Sequence, residues 1–530
     1  MKTIPKADPP VASVSLPQVQ KIVRNYGFCQ SLHAGKFYAI LSVSDIAKAA
    51  GRGAFQVSTD RIRDKHGLAS LIGDRAFYRK VMIIVMPIIV QNAITNFVGM
   101  LDNIMVGQVG TEPMSGVAIT NQLMFVFNIC VFGIVAGAGI LGAQFYGSGN
   151  YDGMRHTFRF KLAVGCGLTA AFLVVFAFWG ENLIQAFLHE GSGEGDLEKT
   201  MEFGRDYLHV MMVGLLPFAL VQAYAGTLRE SGQTVVPMTA GIVAVLVNLI
   251  FNYILIFGKF GAPALGVVGA AIATVLSRFV ELAIVVVWTH SHSEQNPFAA
   301  GLYRGFRIPA ALAVKILKVG TPLFLNEVLW SVGMALLAQC YSLRGLEVVA
   351  AINIANTICN LFNVVFMSMG NAVGIIIGQL LGAGKLEQAR REDGQLIAFS
   401  VFCCMISGLV LFSIAGLFPL IYNTTADVQL LATCFIQICG LCMPIFGFVN
   451  AAYFTLRAGG KTVITFFFDS AFMWVATIPV VFALSRYTGM GIVWIYLICQ
   501  LTDLIKCVIG FVLVRKGVWI QNMALEEKSV

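Results

Sequence analysis

Three acidic side chains lie inside long apolar segments of this 530-residue sequence: Asp102, Glu327 and Asp469. A carboxylate in the middle of a bilayer costs several kcal/mol unless it is paired or hydrated, and acids kept there commonly bind a cation or carry a proton. Asp102 lies toward the far end of its apolar segment. For Asp102, an interfacial position is therefore the alternative to a cation or proton site.

Two asparagines add polar groups to the same half of the chain. Asn248 and Asn252 are one helical turn apart, so they share a face of a helix. Their amide oxygens could ligate sodium, or their amides could form interhelical hydrogen bonds. The sequence leaves both open. We name Asp102, Asn248, Asn252 and Glu327 as the candidate coupling site for Na⁺ or a proton.

Two other acids have a basic residue three positions away in the sequence. Arg278 precedes Glu281, and Lys506 follows Asp503. Residues at this spacing are neighbours on a helix and form intrahelical ion pairs. We interpret both pairs as structural rather than as transport residues.

Aromatic and methionine side chains could line a substrate cavity. Aromatic faces attract organic cations, and methionine adapts to varied shapes. The chain has 40 Phe and 20 Met, so packing or lipid contact is the alternative for each candidate. The candidate cavity residues are Phe97, Tyr224, Trp330, Met367, Phe448, Asn450, Tyr453 and Asp469.

These residues must be positioned by membrane-spanning helices. Hydrophobic residues make up 57% of the chain, charged residues only 12%, and the mean hydropathy is +0.78. A soluble domain carries roughly 25% charged residues, and about 20 apolar residues span a bilayer. The sequence predicts an all-α integral membrane protein with helices at 81–107, 114–143, 160–188, 203–229, 235–257, 265–289, 314–342, 348–378, 395–422, 428–456, 462–485 and 489–514.

Lys and Arg concentrate in alternate loops, which predicts that those loops and both termini are cytoplasmic. The net charge of +8 follows this rule and does not indicate a nucleic-acid partner. The predicted domains are a basic, largely disordered tail, an N-terminal half, a cytoplasmic linker, a C-terminal half and a second cytoplasmic tail. Their bounds are 1–74, 75–289, 290–313, 314–514 and 515–530.

An internal repeat divides the chain into two halves of six helices. Pro87 matches Pro322, the segment from Gln144 to Gly149 matches the segment from Gln379 to Gly384, and Thr227-Leu-Arg229 matches Thr455-Leu-Arg457. Both halves enter from the same side, so the repeat is parallel, about an axis along the membrane normal. In the repeat, Asp102 is equivalent to Leu337, and Glu327 is equivalent to Asn92. The two halves therefore differ chemically, which suggests different duties.

Several of these segments resemble the multidrug and toxic compound extrusion family, which is abbreviated MATE. Pro87 followed by the segment from Leu101 to Gly110 is similar to the family's first helix. The segments 142–149, 248–258, 265–274 and 456–462, and Pro322 with Asn326-Glu327, are similar to five later ones. The resemblance covers about residues 75–515 and is closer to the NorM- and DinF-type bacterial branches than to others.

This resemblance implies twelve helices in two pseudo-symmetric lobes around a V-shaped central cavity. It implies a monomeric, cation-coupled exporter of organic cations in a bacterial inner membrane. It also assigns cation-binding acids to Asp102 and Glu327. At Asn252 the sequence departs from some archaeal-type members, which carry an aspartate there. At Asn450 it departs from NorM-type proteins, which carry an acid. That second departure makes the lobe that contains Glu327 an incomplete sodium site.

The nearest alternative function is a lipid-linked oligosaccharide flippase of the same superfamily. Those proteins tend to have extra helices and basic cavity residues, whereas the isolated charges here are mainly acidic. The sequence contains neither an intramembrane His-x-x-x-His motif of a membrane enzyme nor a nucleotide-binding P-loop. A passive channel is a third alternative. We therefore expect no enzyme activity, no cofactor beyond a coupling Na⁺ or H⁺, and no metal site in the cysteines.

Overall fold

The computed structural model describes residues 71–187 and 197–524. The N-terminal half contains α1 to α6, and the C-terminal half contains α7 to α12. Helix α4 consists of two segments that meet at a bend of 46°, and counting them as one span gives twelve membrane-spanning helices among the described residues. The helices are α1 Arg75–Gly107, α2 Thr111–Gly147, α3 Tyr151–Gln185, α4 Leu197–Val213 with Leu215–Glu230, α5 Val235–Phe257, α6 Gly266–Ser291, α7 Ala310–Ser342, α8 Leu346–Gly382, α9 Leu386–Ile414, α10 Ala426–Ala458, α11 Thr462–Tyr487 and α12 Ile492–Lys516.

This architecture confirms the predicted twelve-helix fold in two halves. The helix ends differ from the prediction where polar residues continue a helix beyond its apolar part. Helix α3 begins at Tyr151 rather than 160, because the Asn150 side chain accepts a hydrogen bond from the Gly153 backbone amide at 2.9 Å and caps it. Most of the predicted N-terminal tail, residues 1–70, lies outside the described part of the chain.

Several helices contain a local irregularity. Pro87, Pro322 and Pro444 lie inside α1, α7 and α10, where each removes one backbone hydrogen bond. Helix α11 contains two π-helical turns, Phe467–Ala471 and Met473–Thr477. Such turns are rare and often occur at functional sites. Asp469 lies in the first of them.

The two halves meet near one end of the bundle, which we call the basic end because the loops there carry most of the Lys and Arg. Gly137 of α2 packs against Gly320 of α7. Further along, Gly147 of α2 lies on the backbone of Gln379, and Gly382 of α8 lies on the backbone of Gln144. Gln144 and Gly147 are the repeat equivalents of Gln379 and Gly382, so this second contact is nearly symmetric.

Replacing Gly147 by alanine is expected to push the two halves apart at the basic end. A Cβ atom there would lie 2.0 Å from the Gln379 carbonyl oxygen, and backbone cannot give way easily. Spin labels on α2 and α8 would report a longer distance at this end. Gly167→Ala in α3 is the matched control, since no atom of the described residues outside its own helix backbone lies within 4 Å of its Cβ position. An unchanged distance distribution would contradict the prediction.

The linker between the halves packs against the N-terminal half. Helix α6 ends at Ser291 and α7 begins at Ala310, so the linker is slightly shorter than predicted. The Arg159 guanidinium donates hydrogen bonds to the carbonyl oxygens of Leu302 at 2.7 Å, Gly301 at 2.8 Å and Arg304 at 2.9 Å. These bonds fix the linker against α3.

The segment after α12, which the sequence analysis assigned to a cytoplasmic tail, packs against the helix bundle. Trp519 is only 1% exposed and belongs to the same buried cluster as α8 and α9 residues, whereas Met523 packs in the core of the N-terminal half. Residues 517–524 therefore contact both halves at the basic end. These apolar side chains, which a sequence reading assigns to a tail, fill gaps between the helix ends.

Candidate ion and substrate sites

The first candidate site joins α1 and α5 in the N-terminal half. Asn252 donates a hydrogen bond from Nδ2 to Asp102 Oδ1 at 2.8 Å. With the Asn248 amide turned so that each of its atoms has a suitable partner, its nitrogen lies 3.0 and 2.9 Å from the two Asp102 oxygens. Its oxygen then accepts from Thr274 Oγ1 of α6 at 3.2 Å. The structure thus brings together three of the four predicted coupling residues, whereas Glu327 lies in the other half.

Two features of this site would favour the binding of a cation. None of the described basic side chains forms an ion pair with Asp102, and the nearby Arg278 is paired with Glu281 at 3.2 Å. Within the described part of the chain, the buried Asn252 Oδ1 has no hydrogen-bond partner, although Asn252 is only 1% exposed. A buried acceptor without a donor is costly, and a cation, a water or a protonated group would satisfy it. The amides thus act as donors to Asp102, while one amide oxygen stays available.

The second site lies in the C-terminal half, where α7, α10, α11 and α12 meet. Asn326 donates from Nδ2 to Asp469 Oδ2 at 3.2 Å and to the Tyr453 hydroxyl at 3.4 Å. The Ser470 backbone amide and hydroxyl bond in turn to Asn326. Asn326 is thus the central residue of this site, although the sequence analysis singled out its neighbour Glu327.

Lys506 of α12 is the residue of this site that sequence reasoning missed. Its ammonium lies 3.1 Å from Asp469 Oδ1 and 3.3 Å from Asp503 Oδ1. The predicted pair of Asp503 and Lys506 is therefore present, but it includes a third member on α11. Asp469 and Lys506 are 37 positions apart on different helices, so no local spacing signals their contact.

Glu327 lies beside this group without joining it. It is half-buried, makes no hydrogen bond with a described residue, and is within electrostatic range of Arg457 and Asp469. A half-buried carboxylate without a partner can receive a cationic ligand. Trp330 lies three positions further along α7 and is partly exposed.

Four of the remaining candidate cavity residues fall into two groups by exposure. Phe97 of α1 and Met367 of α8 are exposed, at 55% and 51%. Phe448 and Asn450 of α10 are half-buried, and the Asn450 Oδ1 has no partner among the described residues. These four lie on helices of both halves, as an inter-lobe cavity requires.

Tyr224 does not fit the predicted cavity. It is 2% exposed, packs edge to face on Phe158 in the core of the N-terminal half, and bonds to His290 and to the linker residue Tyr303. The aromatic side chain was chosen for its type, but its helix turns it toward the linker. We therefore leave Tyr224 out of the proposed substrate contacts.

A buried ion pair was also missed in the N-terminal half. Lys161 of α3 lies 2.6 Å from both carboxylate oxygens of Glu230 at the end of α4, and its side chain is fully buried. The sequence analysis placed Lys161 at the start of the predicted helix 160–188 and named no partner for it. Glu230 contacts Gly139 and Gly142 of α2, where no larger residue would fit. This pair therefore links three helices near the basic end.

Comparison with known families places this geometry in context. The MatE family model matches residues 87–254 and 322–483, which is more than half of the chain and includes both halves. The chain belongs to the MatE family. The predicted resemblance is thereby confirmed, and the membrane-enzyme alternative is excluded, since MATE proteins are transporters.

Relatives of this MATE chain agree with that assignment. A protein named "Probable multidrug resistance protein NorM", from Thermotoga maritima, is 26% identical over 450 residues, covering 84% of this chain and 94% of the relative. The fold is similar to a mutant of the Vibrio cholerae MATE transporter VcmN, with a TM-score of 0.76, 17% identity, and coverage of 86% and 100%. It is also similar to a Pyrococcus furiosus transporter of the MOP superfamily, with a TM-score of 0.73, 18% identity, and coverage of 86% and 98%.

The Pyrococcus protein is described as having a binding pocket of reverse polarity that suggests a different function. The fold alone therefore does not determine what a protein of this superfamily carries. In this chain, the charges of the two candidate sites have to be considered for themselves.

Proposed function

We propose that this MATE protein is a secondary active multidrug efflux transporter of the bacterial inner membrane. It works as a monomer, has both termini in the cytoplasm, and exchanges amphiphilic organic cations for Na⁺ or H⁺ by alternating access. The observation that carries the proposal is the acid and amide site of Asp102, Asn248 and Asn252, with its unpaired amide oxygen. Its relatives' names, which refer to multidrug resistance, support the substrate class.

The arrangement of the halves supports an outward-facing state in this proposal. The two halves touch near the basic end, which the distribution of Lys and Arg predicts to be cytoplasmic. A cavity between them would then open to the outside. Rocking the halves about this contact would expose the cavity to the cytoplasm.

In this proposal the acids of the two halves bind substrate and coupling ion in turn. An organic cation entering from the cytoplasm contacts half-buried Glu327 and the aromatic surfaces of Trp330, Phe97 and Phe448. After release outside, Na⁺ or a proton binds at Asp102, where amide donors already orient the carboxylate. The bound ion lowers the cost of burying that carboxylate, so it favours return of the empty carrier.

Efflux of ethidium from cells without their own pumps is expected to follow one imposed gradient. A sodium gradient and a pH gradient are applied separately, and the rate of dye loss is measured by fluorescence. The gradient that accelerates efflux identifies the coupling ion, because a coupled exporter cannot move dye uphill without it. Counterflow of preloaded dye separates a carrier from a channel.

The control for this experiment is the same membrane with neither gradient. Efflux driven by neither ion, across several cationic dyes and with well-expressed protein, would contradict the proposal. It would favour transport of a lipid-linked oligosaccharide.

A further inference from the structure

The C-terminal half contains a buried cation of its own that the proposed exchange does not use. Lys506 is 5% exposed, and its ammonium lies between Asp469 of α11 and Asp503 of α12. The Phe472 ring lies under the same ammonium, with its centroid 5.5 Å away. Two carboxylates and an aromatic face thus surround one positive charge inside the helix bundle.

These contacts fill the coordination that a mobile cation would need. Asp469 Oδ1 faces Lys506, and Asp469 Oδ2 accepts a hydrogen bond from Asn326 Nδ2 at 3.2 Å. Both oxygens of this carboxylate are therefore engaged by donors. An ammonium provides three donors and no acceptor, so it can satisfy both acids at once.

The N-terminal half differs at each of these points. Asp102 has only amide donors and no ion pair with a described basic side chain, and Asn252 Oδ1 is an unpaired acceptor beside it. One half thus contains an acid that lacks a cation, whereas the other contains acids whose cation is part of the chain.

We infer that Lys506 is a tethered cation that occupies, in the C-terminal half, the place of a mobile monovalent cation. It determines ion stoichiometry: the C-terminal half binds no Na⁺, and any mobile coupling ion binds at Asp102. The statement that an ion at Asp102 drives transport rests on the proposed function. The statement that Lys506 occupies the C-terminal site does not.

The cost of burying charge gives the consequence of removing Lys506. Breaking a buried ion pair by removing one partner leaves an uncompensated charge, which is strongly unfavourable. Without the ammonium, Asp469 Oδ1 and Asp503 Oδ1 would border the space that it vacates, and Glu327 lies within electrostatic range of Asp469. The vacated space between two carboxylates has the charge and the oxygen ligands that suit Na⁺. Loss of Lys506 should therefore create a sodium site.

The test measures equilibrium binding of radioactive Na⁺ to the purified full-length protein in detergent. All variants contain Asp102→Asn, which removes the acid of the N-terminal site. Asp102→Asn alone is expected to bind no Na⁺. Adding Lys506→Met is expected to give one Na⁺ per chain, and adding Lys506→Arg is expected to give none, because arginine keeps the charge.

Two results would overturn the inference. One is Na⁺ binding by Asp102→Asn alone that Glu327→Gln or Asp469→Asn abolishes, since a mobile cation would then share the site with Lys506. The other is folded Lys506→Met protein that gains no Na⁺ binding. If Lys506→Met does not fold, adding Asp503→Asn leaves a smaller charge imbalance, and this variant should be stabilised against heat by NaCl but not by choline chloride. Equal effects of the two salts would also overturn the inference.

These outcomes are separate from those of the efflux experiment. A carrier that exports nothing can still gain a sodium site when Lys506 is removed, in which case only the proposed function fails. Conversely, sodium- or proton-driven efflux together with unchanged Na⁺ binding in Lys506→Met would leave the function intact and reject the tethered cation.

Discussion

Asp102→Asn is expected to abolish gradient-driven ethidium efflux, with a loss of roughly tenfold or more. The neutral amide keeps the size of the side chain, but it removes the charge that attracts the coupling ion. Hydrogen bonds to charged groups contribute about 1.5–3 kcal/mol, and about 1.4 kcal/mol corresponds to a factor of ten. Asn248 and Asn252 would then face another amide, so the site would have no formal charge. Initial efflux rates, normalised to protein amount, measure the effect.

Asp427→Asn is the matched control for this variant. Asp427 is an exposed acid in the first turn of α10, outside both candidate sites, and its removal should leave the rate unchanged. If Asp102→Asn retains normal efflux while Glu327→Gln abolishes it, the coupling site lies in the C-terminal half instead.

The largest loss of stability is expected from Lys161→Met. Removing the ammonium leaves Glu230 charged, buried, and confined by Gly139 and Gly142. Truncating one partner of a buried pair typically costs about 3–5 kcal/mol, whereas replacing both partners by neutral groups costs much less. Thermal unfolding in detergent should therefore show a marked decrease in Tm for Lys161→Met. Adding Glu230→Gln should restore much of it.

An exposed ion pair provides the comparison for the buried one. Arg205 and Glu181 lie 3.8 Å apart with both side chains substantially exposed. Glu181→Gln should change stability by less than about 1 kcal/mol, because solvent already screens such pairs. Similar changes in Tm for Glu181→Gln and Lys161→Met would show that burial of Lys161 does not matter energetically.

The contrast between Lys161 and Asp102 illustrates what the sequence could predict. Asp102, Asn248 and Asn252 could be named from the sequence because an isolated acid and two asparagines one turn apart are signals within short segments, but the sequence grouped them with Glu327 of the other half. No partner was predicted for Lys161, because positions 151–161 are mixed in polarity and resemble the junction of a loop with a helix. Only the packing of α3 against α4 reveals that this lysine is buried and paired.

Contacts between distant helices explain the other differences. The Asp469–Lys506 pair depends on how α11 and α12 are rotated, and the π-helical turns of α11 change that rotation near Asp469. Periodicity of apolar residues does not predict a π-turn. The prediction that Tyr224 lines the cavity was wrong for a related reason. Nearly every face of a membrane helix is apolar, so hydropathy does not identify the face that lines a cavity. Span number and order were predictable because they require only apolar length.

The segment 517–524, which packs at the basic end of the bundle, has a consequence for the timing of the proposed transport. The Met523 backbone amide bonds to Gln144 of α2 at 2.7 Å, Lys315 of α7 bonds to the Met523 carbonyl at 2.7 Å, and Asn522 bonds to the Gly382 carbonyl of α8 at 3.1 Å. The segment 517–524 thus forms hydrogen bonds with helices of both halves and links them at the basic end. In the proposed exchange, opening toward the basic end would first have to break these hydrogen bonds. These eight residues, which lie outside every membrane span, would then partly set the dwell time of the proposed outward-facing state, and a fusion tag placed there would alter turnover without contacting the candidate transport sites.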